Sequence, residues 1–287
     1  MIFPQSILMP LSTSGNEQER ILGALAVTEF FAAHLEVLHA QVGPQRFIPD
    51  DAIARRMPNK LLHELEALAE KYSSTEANEL QKLFVSLCEQ RGVSCSDASL
   101  ANTPTAYWRE VTGLRSELIG ERGKVNDLVV IPQSTSGKAT ATLEAAVMRS
   151  GKPVLLMPRI QTHFSADRAI IAWNGSTEGA RAVTHALPLL QHAKEVVIAT
   201  SLSSAYRKPG ADELLIYLQR HDIKAVSKNF DSGRKSAGEA LLGLATELKS
   251  ELLVMGAYTH RRVHEQIFGG MTQYMVAHAK IPIFMMH

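Results

Sequence analysis

The sequence predicts an α/β protein of two tandem, doubly wound, parallel five-stranded sheets, the first carrying a helical insertion. Three observations predict it. Apolar runs of strand length alternate with segments of helical spacing, the pattern of a parallel sheet covered on both faces. The order of these segments restarts near the middle, and short strings match across the halves: 127–132 (DLVVIP) with 251–256 (ELLVMG), 150–157 (SGKPVLLM) with 279–286 (AKIPIFMM), and 6–10 (SILMP) with 168–172 (RAIIA). Between the halves, 158–167 (PRIQTHFSAD) is polar and aperiodic and reads as a linker, so the domains are expected at 1–158 and 168–287.

In order, 6–11 reads as a buried strand, 12–16 as a turn with capping residues, 17–33 as a helix with Ile21, Leu22, Leu25 and Phe30 at helical spacing, and 35–40 as a second strand. Two helical patterns follow, centred on Leu61, Leu65 and Leu68 and on Leu80, Phe84 and Leu87, parted by Ser73, Ser74 and Thr75. Each is too short to sustain a coiled coil, so they read as an insertion over about 50–92 that packs on its own domain. A short third strand is expected at 93–96, a helix at 105–121, a strand at 127–131, a helix at 142–149 and a strand at 154–157. The second half repeats this grammar with strands at 168–173, 196–200, 223–227, 252–255 and 282–285, and helices at 178–190, 212–220, 237–248 and 272–279.

Composition narrows the function. With 45% hydrophobic and 21% charged residues the chain can bury a substantial core. Thirty Lys and Arg against 29 Asp and Glu leave a net charge of +1, which gives no bulk attraction to nucleic acid or to an anionic membrane. No window reaches the 18 or so apolar residues of a membrane span, and 1–15 has no basic start before its apolar run, so a cytoplasmic protein is expected. Cys88 and Cys95 are too few for a disulfide scaffold and read as packed thiols.

The chemistry-bearing stretch is 256–272. A strand ends at Gly256, a polar loop with His260, Arg261, Arg262 and His264 follows, and Gly269 and Gly270 open a helix. Free N–H groups at a helix start, beside glycines that permit close approach, make an anion cradle. This segment resembles the nucleotide-binding loop of the universal stress protein family, G-x2-G-x9-G-[S/T] followed by a further hydroxyl residue. Gly256 fills the first position, Thr259 stands where the second glycine is usual, Gly269 fills the third, Gly270 replaces the usual hydroxyl residue, and Thr272 supplies one two positions later. The turn at 173–176 (WNGS) and the closing AHAKIPIFMM extend the resemblance.

The resemblance implies the adenine-nucleotide α-hydrolase-like fold in tandem and, in the C-terminal half, ATP with Mg held at the carboxyl ends of the strands. It implies Asn174 at the position where adenine-binding members usually carry Asp, Thr200 beside the base pocket, and Gly256, Thr259, Gly269, Gly270 and Thr272 around ribose and phosphates. In the first half Pro132 replaces the first glycine, the loop is shorter, and Ala141 and Leu143 occupy the places of Gly270 and Thr272, so no nucleotide is expected there. In this family the last strands often pair across a dimer; here 153–157 and 282–286 can pair within one chain, with a homodimer as the alternative.

The remaining motifs carry less. The segment 132–140 (PQSTSGKAT) echoes a P-loop but lacks its first glycine and the hydroxyl residue after lysine, so it reads as a capped turn. His260 and His264 have no third ligand nearby for a metal, and no G-x-S-x-G elbow occurs, so no catalytic residue is assigned. The reading is a non-enzymatic stress-response module that binds a nucleotide. The alternatives are an α/β enzyme that hydrolyses ATP or transfers adenylate, and a tandem that binds a small apolar ligand under the 61–87 helices.

Overall fold

A computed structural model describes residues 4–41, 59–98, 100, 102–257 and 270–287. The first half runs β1 (Ser6–Leu11), α1 (Glu17–Phe31), β2 (His34–Gln41), α2 (Asn59–Arg91), β3 (Ser94–Cys95), β4 (Thr105–Thr112), α3 (Arg115–Arg122), β5 (Leu128–Pro132), α4 (Ala141–Arg149) and β6 (Val154–Met157). The second runs β7 (Arg168–Ala172), α5 (Thr177–His192), β8 (Glu195–Ser201), α6 (Ala211–Gln219), β9 (Ala225–Phe230), α7 (Ala237–Glu247), β10 (Leu252–Gly256), α8 (Gly270–His278) and β11 (Ile283–Met286).

The eleven strands among the described residues lie in one sheet, in the order β3-β4-β2-β1-β5-β6-β11-β10-β7-β8-β9. Every neighbouring pair is parallel except β6 and β11, which join the halves antiparallel with Leu155 opposite Phe284. The last strands of the two halves thus close each other's edge within the chain. Outside that joint each half has the same order, β4-β2-β1-β5-β6 and β9-β8-β7-β10-β11, and β3 is an extra edge strand. The repeat extends to the residue: Ile7 faces Leu128 as Ala169 faces Leu252. A carboxylate at the same repeat position clips the start of the first strand in both halves. Asp127 accepts from the Gln5 and Ser6 amides at 2.9 and 3.0 Å, and Glu251 accepts from the Arg168 amide at 3.3 Å and its guanidinium at 2.6 Å.

Strand alternation sends side chains to two faces, each with a core that runs through both halves. One face packs α1, α2, α5 and α6 over Ile7, Val130, Leu155, Ile171, Val254 and Phe284. The other packs α3, α4, α7 and α8 over Leu8, Val129, Leu156, Ile170, Leu253 and Met285. The 158–167 segment is irregular, yet it is packed: Phe164 meets Phe30 edge to face at 5.0 Å and Ala166 is fully buried.

Three expectations are corrected. The helix expected over 105–121 is a strand, β4, followed by α3. Thr105, Tyr107, Trp108, Val111 and Thr112 are β-formers, and Gly113, at φ +152°, separates strand from helix. The third strand of the repeat is therefore β4, and β3 at 94–95 is its two-residue companion. The two helices expected around 61–87 are one, since the serines and threonine at 73–75 cost only a few tenths of a kcal/mol each in a helix. That helix stands between β2 and β4 as α6 stands between β8 and β9, so it is a lengthened crossover, and residues 50–58 of the expected insertion lie outside the described residues. Ala77, Leu80, Phe84, Leu87 and Cys88 bury its C-terminal part in the core. Cys88 is packed as expected, but Cys95 is exposed. No helix among the described residues is long and apolar enough to cross a membrane.

Candidate functional site

In an open α/β sheet the crevice forms at the carboxyl ends of the strands, and in the C-terminal half that places it where β7, β8 and β10 end. The turn after β7 is fixed from within. Trp173 is buried and its indole N–H donates to the Pro209 carbonyl at 3.0 Å. Asn174 Oδ1 accepts from the Ser176 amide at 3.1 Å, Gly175 adopts the left-handed φ of +69°, and Ser176 caps α5 by accepting from the Gly179 amide at 3.1 Å.

Gly256, at the end of β10, lies against this same turn. A Cβ there would stand 2.5 Å from the Gly179 nitrogen and 2.7 Å from the Glu178 carbonyl carbon. The glycine therefore lets the first turn of α5 approach the sheet, which is a packing role rather than room for a ligand. At Gly270, the first residue of α8, a Cβ would meet no described residue within 4 Å.

Between these elements opens a cleft of about 240 Å³. Ala172, Ala199, Phe230, Leu241 and Met255 give it an apolar side, and Asn174, Ser201, Ser203, Ser204, Arg207 and Thr272 a polar rim. Ser201 and Ser203 share a hydroxyl hydrogen bond at 2.9 Å, held by the 3-10 turn Leu202–Ser204. Gly270, Met271 and Thr272 bring the N-terminal turn of α8 to the same cleft. Its N–H groups and the Arg207 guanidinium favour an anion there, beside a wall suited to a flat apolar ring.

Of the residues singled out from the sequence, Asn174, Gly256, Gly270 and Thr272 meet in this cleft. Thr200 does not line it. Strand alternation places it in phase with Val196 and Ile198, on the face covered by α5 and α6, while Ala199 and Ser201 face the cleft. Thr200 is 4% exposed and its hydroxyl has no hydrogen-bond partner among the described residues. Thr259 and Gly269, with His260, Arg261, Arg262 and His264, lie outside the described residues. Sequence reading missed Ser203, Arg207 and Phe230. The period of two would have moved attention from Thr200 to Ser201; nothing local marks Arg207 or Phe230.

The first half has its own crevice at the equivalent ends of β1 and β5, a hollow of about 170 Å³. Because β6 and β11 run antiparallel, the two crevices open at opposite ends of the sheet. The 132–140 loop beside it is a capped turn, with Thr140 Oγ1 accepting from the Leu143 amide at 3.2 Å. That loop also reaches the other half: Gln133 Nε2 donates to the Val276 carbonyl at 2.7 Å.

A doubly wound parallel unit, repeated and joined edge to edge, with a cleft at its strand ends, defines the class as a tandem α/β fold with a crevice in each half. Residues 166–287 match the model of the Universal stress protein family. A universal stress protein from Archaeoglobus fulgidus DSM 4304 shares the fold along the full length, at a TM-score of 0.71 and 13% identity over 98% of each chain. A universal stress protein from Pseudomonas aeruginosa UCBPP-PA14 is similar at a TM-score of 0.51 and 15% identity, over 99% of this chain and 93% of that one. No curated protein matches the sequence.

Proposed function

We propose that the C-terminal crevice binds an adenine nucleotide, ATP with Mg, and that the chain is a non-enzymatic regulatory module of the universal stress type whose state reports nucleotide. The observation that carries this reading is the two-sided cleft. The Phe230, Leu241 and Met255 side suits a base, and the N-terminal turn of α8 with Arg207 and Thr272 suits phosphate. Asn174, with Oδ1 committed to the turn, presents its amide as a donor. Mg would enter with the phosphates.

Calorimetric titration with ATP and Mg tests it, comparing wild type with Gly270→Asp. The new side chain meets no described residue within 4 Å and suits the first turn of a helix, so the variant should fold. Its carboxylate occupies the anion position and should weaken binding by about tenfold or more, equal to about 1.4 kcal/mol. Absence of heat in wild type removes the nucleotide reading. Steady release of phosphate from ATP well above background would instead favour the enzymatic alternative.

A further inference from the structure

The first-half crevice is lined by three arginines from three separate elements: Arg20 from α1, Arg115 at the start of α3 and Arg159 just after β6. Serine and threonine hydroxyls fill most of the remaining wall, and only Pro10, Ile131 and Pro132 are apolar. It therefore has no counterpart of the apolar slot across the molecule.

The guanidinium groups differ in how they are held. Arg159 is a strap: it donates to the Gln133 carbonyl at 3.1 Å, to Asn16 Oδ1 at 3.3 Å, to Ser14 Oγ at 3.0 Å, and to the Ser14 and Gly15 carbonyls. Arg20 is 6% exposed; one terminal nitrogen donates to the Ser12 carbonyl and Ser14 Oγ, both at 2.8 Å, while its buried Nε–H has no acceptor among the described residues. The Nε–H of Arg115 is likewise buried without an acceptor among the described residues.

Among the described residues none of the three forms an ion pair with a carboxylate. Glu17 is near Arg20, but its carboxylate takes the Ser14 and Gly15 amides at 2.7 and 2.5 Å. Glu76 is near Arg115, and its carboxylate takes the Thr13 hydroxyl. Burial, and then the neighbouring charges of Arg159 and Arg115, push Arg20 down to about 10. Buried like charges with unused donors destabilise a fold unless something compensates them.

We propose that this crevice binds a small oxyanion of phosphate size and charge, received by the guanidinium groups of Arg20 and Arg115 that line it and by the hydroxyls around them, between walls that Arg159 braces. The planar guanidinium presents a fork of donors that can bind two oxygens of a tetrahedral phosphate at once. The site is thus specialised for an anion without a base, whereas the opposite crevice is shaped for both.

The test uses the full-length chain and inorganic phosphate as probe, with potassium chloride at matched ionic strength as control. Nitrogen-15 spectra of the arginine Nε–H groups should show saturable shifts at Arg20 and Arg115, and phosphate should raise Tm beyond chloride. Arg115 makes no hydrogen bond or ion pair among the described residues, so Arg115→Gln should fold; it should abolish the excess rise and itself raise Tm in chloride by removing a partly buried charge. Arg115→Lys keeps the charge without the Nε–H donor and should weaken the phosphate Kd by about tenfold. Equal responses to phosphate and chloride, unmoved Nε–H signals, or an undiminished phosphate response in Arg115→Gln would overturn the proposal.

Discussion

The two crevices stand at the same place in the repeat and have opposite chemistry. Each is bounded by the turn after its first strand, by the end of its fourth strand and by the start of its last helix. In the C-terminal half those positions carry Asn174, Gly256 and the Gly270–Thr272 turn, with Arg207 the single charged residue in the described lining. In the first half they carry Ser12 and Ser14, Pro132, and Thr140 and Thr142, with three arginines behind them. The sheet dictates where a crevice lies, but not what fills it. Side chains from helices and loops, which the sheet does not constrain, decide the ligand.

The fourth-strand positions offer the strongest way to break this comparison. At Gly256 a Cβ would collide with the backbone of α5. Gly256→Ala should destabilise by about 3 kcal/mol, the cost of overpacking against atoms that cannot rotate away. At the matched position, Pro132→Gly should cost only about 1 kcal/mol, through the freer unfolded chain. Chemical denaturation of both variants checks this, and equal losses would show that Gly256 has no special packing role.

How much of this was legible in sequence follows from the same contrast. The strands at 128–132 and 252–256 were legible because each is a continuous apolar run between turn residues. The strand at 105–112 was hidden because its partly exposed edge alternates weakly and a helical pattern follows it after a single glycine. Asn174, Gly256, Gly270 and Thr272 were legible because they occupy the two loops the resemblance fixes. Arg207 and Phe230 arrive from separate segments and meet the cleft only through the sheet order β7-β8-β9. Arg20 was hidden because a helix residue beside Ile21 carries no sign that its guanidinium is buried, and Arg115 and Arg159 lie far away in the chain.

Acid should separate the halves by a moderate margin. His34 and His39 both sit on β2, and burial is the main cause that lowers the pKa of each from 6.5. His39 is 5% exposed, stacks on Trp108 at 5.5 Å, and feels Glu110 and Glu76 against Arg115. His34 shares a 2.7 Å hydrogen bond with the Thr105 hydroxyl and feels Glu36 and Asp97 against Arg109. Above about pH 6.5 both are neutral, folded or unfolded, and contribute no pH dependence. Below it the unfolded chain takes up protons that the folded one resists, so stability falls as pH falls. The matched strands β8 and β9 contain no histidine. Hydrogen exchange, corrected for intrinsic rate, should therefore show β2 and β4 amides losing protection between pH 7.5 and 5.5 while β8 and β9 hold theirs. Uniform loss across the sheet would remove the histidines as the cause.

The smallest expected effect bears on the residue that the loop resemblance and the strand geometry place differently. Thr200 buries a hydroxyl, with no partner among the described residues, on the face away from the cleft. Thr200→Val keeps the shape and the β-branched preference while removing a polar group that pays desolvation without a hydrogen bond. The variant should gain about 1 kcal/mol of stability by denaturant midpoint at unchanged slope. Its affinity for ATP and Mg in the C-terminal crevice should match wild type, because Ala199 and Ser201 are the residues of β8 that face it. A marked loss of affinity with no loss of stability would return Thr200 to the site, and would mean that the occupied crevice reaches through the end of the sheet to its other face.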